Sequence, residues 1–288
     1  MARVVSRMTV AALRQQLAAA AVPAGGPGAR SADVVRLRIP DIDGCFPAGG
    51  LPVGAVHELW ASCERHRPAA MGFALALARY LAATRQSGDV VWVYPRGQAQ
   101  EWGLPYAPGL MAFGHDPGRF ILVEAGNALE ALWAGEETLR ASAPSGVIVA
   151  LDAGYQRHAF MATRRLELAA RTGTAYGLLL CTGADPPVSA ASLRWRIEPS
   201  SITSSATGRA TGRATDRTTG RPAPFPARPH WRVALERNRF GRTGTWNLEW
   251  DHESQIFIQP ATVPGAVATP LAGRTGSGDI HRLRRAGA

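Results

Sequence analysis

The sequence predicts an α/β protein: a three-layer sandwich with a mainly parallel sheet, extended by a C-terminal antiparallel hairpin. Two patterns carry this expectation. Between residues 56 and 181, short apolar runs alternate with helical segments, the order expected of parallel strands joined by crossover helices. Beyond residue 193 the periodicity changes to two, the mark of strands with one polar face. With 288 residues, 46% of them hydrophobic, the chain has enough apolar material for one sizeable core plus tails.

Taken in order, residues 9–21 open with Thr9 as a candidate N-cap and place Val10, Leu13 and Leu17 at helical spacing. This short amphipathic helix is expected to dock on its own core. The Pro, Gly and Ala of residues 23–31 mark a linker, so residues 1–31 form an N-terminal helix and linker ahead of an α/β core at 32–199.

The core is organised around Gly49 to Ala61, where a glycine pair and a Pro-Gly turn lead into a strand carrying Val56, Leu59 and Trp60. Residues 69–85 form an Ala-rich helix with Met71, Phe73, Leu75, Leu77 and Leu81. Val90–Tyr94 is apolar throughout, as in a strand covered on both faces. Residues 95–118 read as a long Pro- and Gly-rich loop. They are followed by a strand at 120–123, a helix at 128–141, a strand at 146–152, a basic helix at 157–171 and a strand at 176–181.

The segments 193–197, 230–237 and 246–251 then alternate at period two. Trp231, Val233 and Leu235 face Trp246, Leu248 and Trp250 across a turn containing Gly241 and Gly244. This hairpin, residues 227–253, completes the core. Residues 200–226 hold a drifting repeat of Thr207-Gly208-Arg209-Ala210 with almost no apolar side chains, predicting a disordered insert; slippage of a repeat accounts for it better than a binding role. Residues 254–288 read as a flexible tail.

The opening strand invites comparison with nucleotide-binding cores, where a Gly-rich loop ending in Gly-Lys-Ser/Thr would follow. Here the loop position reads Ser62, Cys63, Glu64, Arg65, His66, Arg67 and Pro68. It has no glycine, and all 32 basic residues of the chain are arginine. Side chains in place of glycine obstruct the close backbone approach to phosphates, and Glu64 repels them. Arg65 or Arg67 could neutralise a phosphate. The expectation is no cofactor, or weak ATP binding without hydrolysis, and no catalytic residue. Asp152, at the end of an apolar strand, occupies the position of a magnesium-holding acid, but reads better as a local cap when the lysine is missing.

The net charge of +10 is concentrated at one end: 19 arginines stand against 16 acids in residues 1–200, and 13 against 6 in residues 201–288. This fits a footprint for nucleic acid or an acidic protein, and equally an arginine-rich composition imposed by a GC-rich genome. Arg232, Arg237, Arg239 and Arg242 form the densest folded basic group and are candidate contacts for DNA or a partner. The tryptophans beside them could stack on bases but fit a core role better. Cys45, Cys63 and Cys181 lack the pairing of a disulfide framework or zinc site, so no metal is expected and a reducing cytosol fits. The Cys63 and His66 pair is taken as incidental. No apolar run suits a signal peptide or a membrane span, so a cytoplasmic protein is expected.

Two segments resemble the ImuA family, whose core is RecA-like and which is related to RecA and to the cell-division inhibitor SulA. One runs from Phe46 to Leu59; the other comprises Pro229 to Arg239 with Gly244 to Trp250. The resemblance spans about residues 8–252, and the insert at 200–226 departs from the family pattern. It implies a non-catalytic accessory protein of SOS-induced, error-prone translesion synthesis, joining the nucleoid after DNA damage. The implied partners are an ImuB-like Y-family polymerase homologue, a DnaE-type polymerase and, less directly, RecA. Two alternatives stand beside it: a divergent DNA-dependent ATPase of the RecA superfamily, and a SulA-like inhibitor of division.

Overall fold

A computed structural model describes residues 6–19, 34–82, 88–141, 143–151, 155, 159–173, 175–200 and 228–260. Apolar strands at the centre and amphipathic helices outside produce one ten-stranded sheet in the order β1-β6-β5-β7-β8-β4-β9-β10-β11-β12. In chain order the strands are β1 (Ser6–Thr9), β2 (Val34–Val35), β3 (Leu51–Pro52), β4 (Val56–Ala61), β5 (Val90–Pro95), β6 (Phe120–Ala125) and β7 (Gly146–Ala150). They continue with β8 (Tyr176–Thr182), β9 (Leu193–Pro199), β10 (His230–Asn238), β11 (Gly244–Asp251) and β12 (Ile256–Ile258). All neighbours from β1 to β9 are parallel, and those from β9 to β12 antiparallel. This is the predicted α/β sandwich, consistent with a RecA-like core. The strands β2 and β3 form a separate two-stranded pair.

Strands β4, β5, β7 and β8 are buried along their whole length; β5, β7 and β8 accordingly read as near-continuous apolar runs, while β4 also buries His57 and Glu58. One face of the sheet packs on α3 (Arg67–Ala82), with Phe73, Leu77, Trp92, Trp195 and Trp231 in a common core. The other face carries α1 (Val10–Ala19), α6 (Ala128–Arg140) and α7 (Ala159–Thr172) over Val91, Val147, Val149 and Leu179. Helix α6 approaches β7 so closely that a Cβ at Gly135 would lie 2.6 Å from the Val149 side chain. The shorter helices α2 (Pro40–Asp43), α4 (Gln98–Trp102) and α5 (Ala107–Ala112) lie in the connections.

Several elements differ from expectation. Ser6–Thr9 adds a parallel edge strand to β6, although four residues with no alternation leave no strand pattern to read. The expected loop at 95–118 contains α4, α5 and a 3₁₀ turn at Pro117–Arg119, each too short for helical periodicity to register. Helix α3 starts two residues early, at Arg67, with Pro68 in its first turn, where the missing N–H costs nothing. Ile256–Ile258, assigned by sequence to the tail, pairs with β11. The Trp231 and Trp246 faces of the hairpin match as expected, with Trp231 opposite Leu248 and Val233 opposite Trp246. Residues 201–227, nearly the whole insert, and residues 261–288 of the tail lie outside the described residues.

The β8 to β9 connection, residues 183–192, has no helix and descends beside α7. Ala190 N–H donates to Thr163 Oγ1 at 2.8 Å. The buried Glu167 carboxylate accepts the backbone N–H of Val56 (3.1 Å) and of Ser192 (3.2 Å), and the Ser192 hydroxyl as well. One α7 side chain thus ties together the entries to β4 and β9.

Candidate functional site

The parallel strands converge on one end of the sheet, the usual ligand crevice of such folds. There β4 ends at Ala61, a 3₁₀ turn follows at Glu64–His66, and α3 begins at Arg67. Within this loop the Ser62 hydroxyl lies 2.8 Å from His66 Nδ1, so the imidazole engages the serine rather than the Cys63 thiol. Glu64 and Arg65 are exposed, while Ser62, Cys63 and His66 are half-buried.

Arg67 is turned inward and is 2% exposed. Its Nη1 donates to Thr182 Oγ1 at the end of β8 (3.0 Å). Its Nη2 donates to the carbonyl of Leu151 just past β7 (3.3 Å) and to Gln98 Oε1 at the start of α4 (3.4 Å). The guanidinium carbon stands 3.2 Å from the centre of the Trp102 ring, and Glu64 contributes a carboxylate oxygen at 3.9 Å. A cation at a helix N-terminus opposes the helix dipole, and burial adds a desolvation cost. Three hydrogen-bond acceptors, an aromatic face and one carboxylate offset both.

This arrangement decides how a nucleoside triphosphate would fare. The position at the strand ends and helix start, where phosphates would be cradled, is filled by the chain's own guanidinium and closed over by Gln98 and Trp102. The loop supplies neither glycine nor lysine. The residues present do not fit the group. Asp152, the acid that follows Leu151, lies outside the described residues. Among the described residues, no three or more His, Cys, Asp or Glu side chains are grouped to hold a metal ion.

The hairpin arginines divide by role. Arg237 Nη1 donates to the Ser189 carbonyl at 2.8 Å, and burial together with the nearby Arg194 lowers its pKa. Arg242 Nη2 donates to the Gly44 carbonyl at 3.1 Å. Arg232 is exposed on the open face of β10, opposite Glu198 and Asn247, and Arg239 is exposed near the hairpin tip. Asn238 pairs with Leu193, which pairs with His57 at the start of β4. The tip therefore lies at the opposite end of the sheet from Arg67, about 20 Å away by strand rise. The structure does not bring the two candidate groups together. Trp231, Trp246 and Trp250 are core side chains, not a stacking platform.

No family model matches the chain. Two curated relatives do: Protein ImuA of Caulobacter vibrioides strain NA1000 / CB15N and of strain ATCC 19089 / CIP 103742 / CB 15. Each is 34% identical over 222 residues, covering 73% of this chain and 80% of the relative. The chain belongs to the ImuA family.

In this ImuA-family chain the residues that define the crevice, Gln98, Trp102 and Thr182, went unnoticed in the sequence. Gln98 and Trp102 are the two ends of α4, a helix too short to register, and Thr182 ends β8 about 80 residues later, so no sequence spacing joins them to Arg67. A second buried group was also missed. Glu58 on β4 and Arg194 on β9 form a buried ion pair, beneath which Tyr155 and Cys181 are packed. Burial raises the pKa of both the Tyr155 hydroxyl and the Cys181 thiol, and the Glu58 carboxylate pushes both further up, so both stay protonated. No helix among the described residues is long and apolar enough to cross a membrane.

Proposed function

We propose that this protein is a non-catalytic accessory factor of SOS-induced, error-prone translesion DNA synthesis, assembling with an ImuB-like Y-family polymerase homologue and a DnaE-type polymerase. Membership of the ImuA family supports the pathway. The observation that supports a scaffold rather than an ATPase is the buried Arg67, whose guanidinium fills the crevice that a triphosphate would need. A RecA-like core with that crevice closed keeps its surfaces and gives up turnover. The outward-facing Arg232 and Arg239 are the hairpin residues proposed to contact DNA or a partner, because Arg237 and Arg242 are engaged within the fold.

Deleting the gene and scoring damage-induced mutation frequency tests this function. The frequency falls in the deletion strain and returns on complementation with the wild-type gene. An unchanged frequency, with the neighbouring genes expressed normally, would sink the proposal. DNA-stimulated ATP hydrolysis by the purified protein would overturn its non-catalytic part.

A further inference from the structure

A cavity of about 650 Å³ lies on the α3 side of the molecule, between the β2 segment, the C-terminal half of α3 and the turn between β11 and β12. It is lined by Arg36, Arg38, Arg79, Tyr80, Ser254 and Gln255 among others. Arg79 is twelve residues along α3 from Arg67, about 18 Å at helical rise, so this is not the strand-end crevice.

Three observations set it apart. First, no ion pair links Arg36, Arg38 or Arg79 to a carboxylate among the described residues. Of the two acids that follow Arg38, Asp41 accepts from Gln259 Nε2 (3.1 Å), and Asp43 spends both oxygens on the backbone N–H groups of Leu37 (2.9 Å) and Arg38 (3.0 Å). Second, the only two non-glycine residues at positive φ among the described residues, Arg38 (61°) and Gln255 (54°), both line this cavity. Such backbone is costly for side chains with a Cβ, and it persists where the surroundings enforce it. Asp43 holds the Arg38 turn, and a bond from Gln255 N–H to the Asp251 carbonyl (2.8 Å) holds the other. Third, Gln255 Oε1 accepts from Arg79 Nε at 3.3 Å, which fixes the plane of that guanidinium.

We infer that this cavity is a phosphate-recognition site, taking the phosphate groups of a nucleotide or of a nucleic-acid strand. Three guanidinium groups around one cavity repel each other until a polyvalent anion is present. Their forked donors match phosphate oxygens, whereas a single carboxylate would neutralise only one of them. The volume lies in the range of small-ligand sites.

The full-length protein is titrated with pyrophosphate by calorimetry and with a fluorescein-labelled oligothymidylate by anisotropy. The variants are Arg36→Glu with Arg38→Glu, and separately Arg79→Gln, which keeps a helix-forming side chain. The hairpin variant Arg232→Glu with Arg239→Glu serves as comparison for pyrophosphate. Wild type binds at least one probe, and both cavity variants weaken that binding by at least about tenfold, the scale of one lost charge-assisted contact. The hairpin variant binds pyrophosphate as wild type does. Loss of pyrophosphate alone assigns a nucleotide-like ligand; loss of the oligonucleotide alone assigns a strand. Wild type binding neither probe, or folded cavity variants binding both as tightly as wild type, would overturn the assignment. Neither result bears on the mutation-frequency test above.

Discussion

Glu58 and Arg194 stand directly opposite each other on the neighbouring parallel strands β4 and β9, and Arg194 Nε donates to the Glu58 carboxylate at 2.8 Å with both side chains buried. The other arm of the guanidinium reaches the Pro187 carbonyl at 2.8 Å, pinning the β8 to β9 connection over the pair. Removing one partner strands the other charge. Arg194→Ala is expected to cost about 3–5 kcal/mol in urea unfolding, while Glu58→Gln combined with Arg194→Met recovers most of that loss. A double variant as unstable as the single one would mean that the pair itself adds net stability.

Arg67 holds the crevice shut through a fork that no other side chain reproduces. Arg67→Ala leaves the Leu151 carbonyl, Thr182 and Gln98 without that donor and should lower stability by about 2–3 kcal/mol. Arg67→Lys keeps the charge but not the planar stack on Trp102, and is expected to fall between wild type and Arg67→Ala. Neither variant gains ATP turnover with DNA present; turnover by the lysine variant would show that one side chain is all that blocks catalysis.

Two buried imidazoles make stability depend on pH. His57 donates from Nε2 to the Pro52 carbonyl (3.2 Å), and His115 from Nε2 to the Leu75 carbonyl (2.9 Å). Burial lowers the pKa of each to about 4. The unfolded chain, with imidazoles near 6.5, therefore binds more protons than the native state between those values. Stability is full above about pH 6.5 and is lost as pH falls toward 4, by about 2 kcal/mol per histidine at pH 5. His115→Gln should flatten the slope of unfolding free energy between pH 7 and pH 5 by one histidine's share. An unaltered slope would contradict the assignment of a neutral buried imidazole.

The hairpin arginines should separate by measurement as they do by geometry. Arg237→Ala removes the bond to Ser189 and is expected to cost about 1.5–3 kcal/mol of stability. Arg232→Gln with Arg239→Gln, which sets no carboxylate opposite Glu198, should stay within about 0.5 kcal/mol of wild type in stability. Its effect should appear in binding of DNA or partner, as a shallower dependence of affinity on salt. Equal stability losses in both variants would remove the distinction.

The parallel core was legible because strands buried on both faces leave continuous apolar runs, as at Val90–Tyr94, and the hairpin because Trp231 and Trp246 begin matching alternations. Pairing across the sheet was not legible. Strand Ser6–Thr9 acquires its identity only from its neighbour β6, and Ile256–Ile258 only from β11. At the crevice, the sequence showed which chemistry was missing from residues 62–67 but not where Arg67 would point. Its partners lie 31, 84 and 115 residues away, and are brought to it by the crossing order of β5, β7 and β8.

The margins of the sheet carry a consequence of their own. Four residues, Ser6–Thr9, finish one side and three, Ile256–Ile258, finish the other. Each shields a longer inner strand whose open amide and carbonyl groups would otherwise template pairing with another molecule. The guard against fibril-like stacking thus rests on the two shortest strands of the ten-stranded sheet, and clipping either margin should raise the tendency to aggregate well before it unfolds the core.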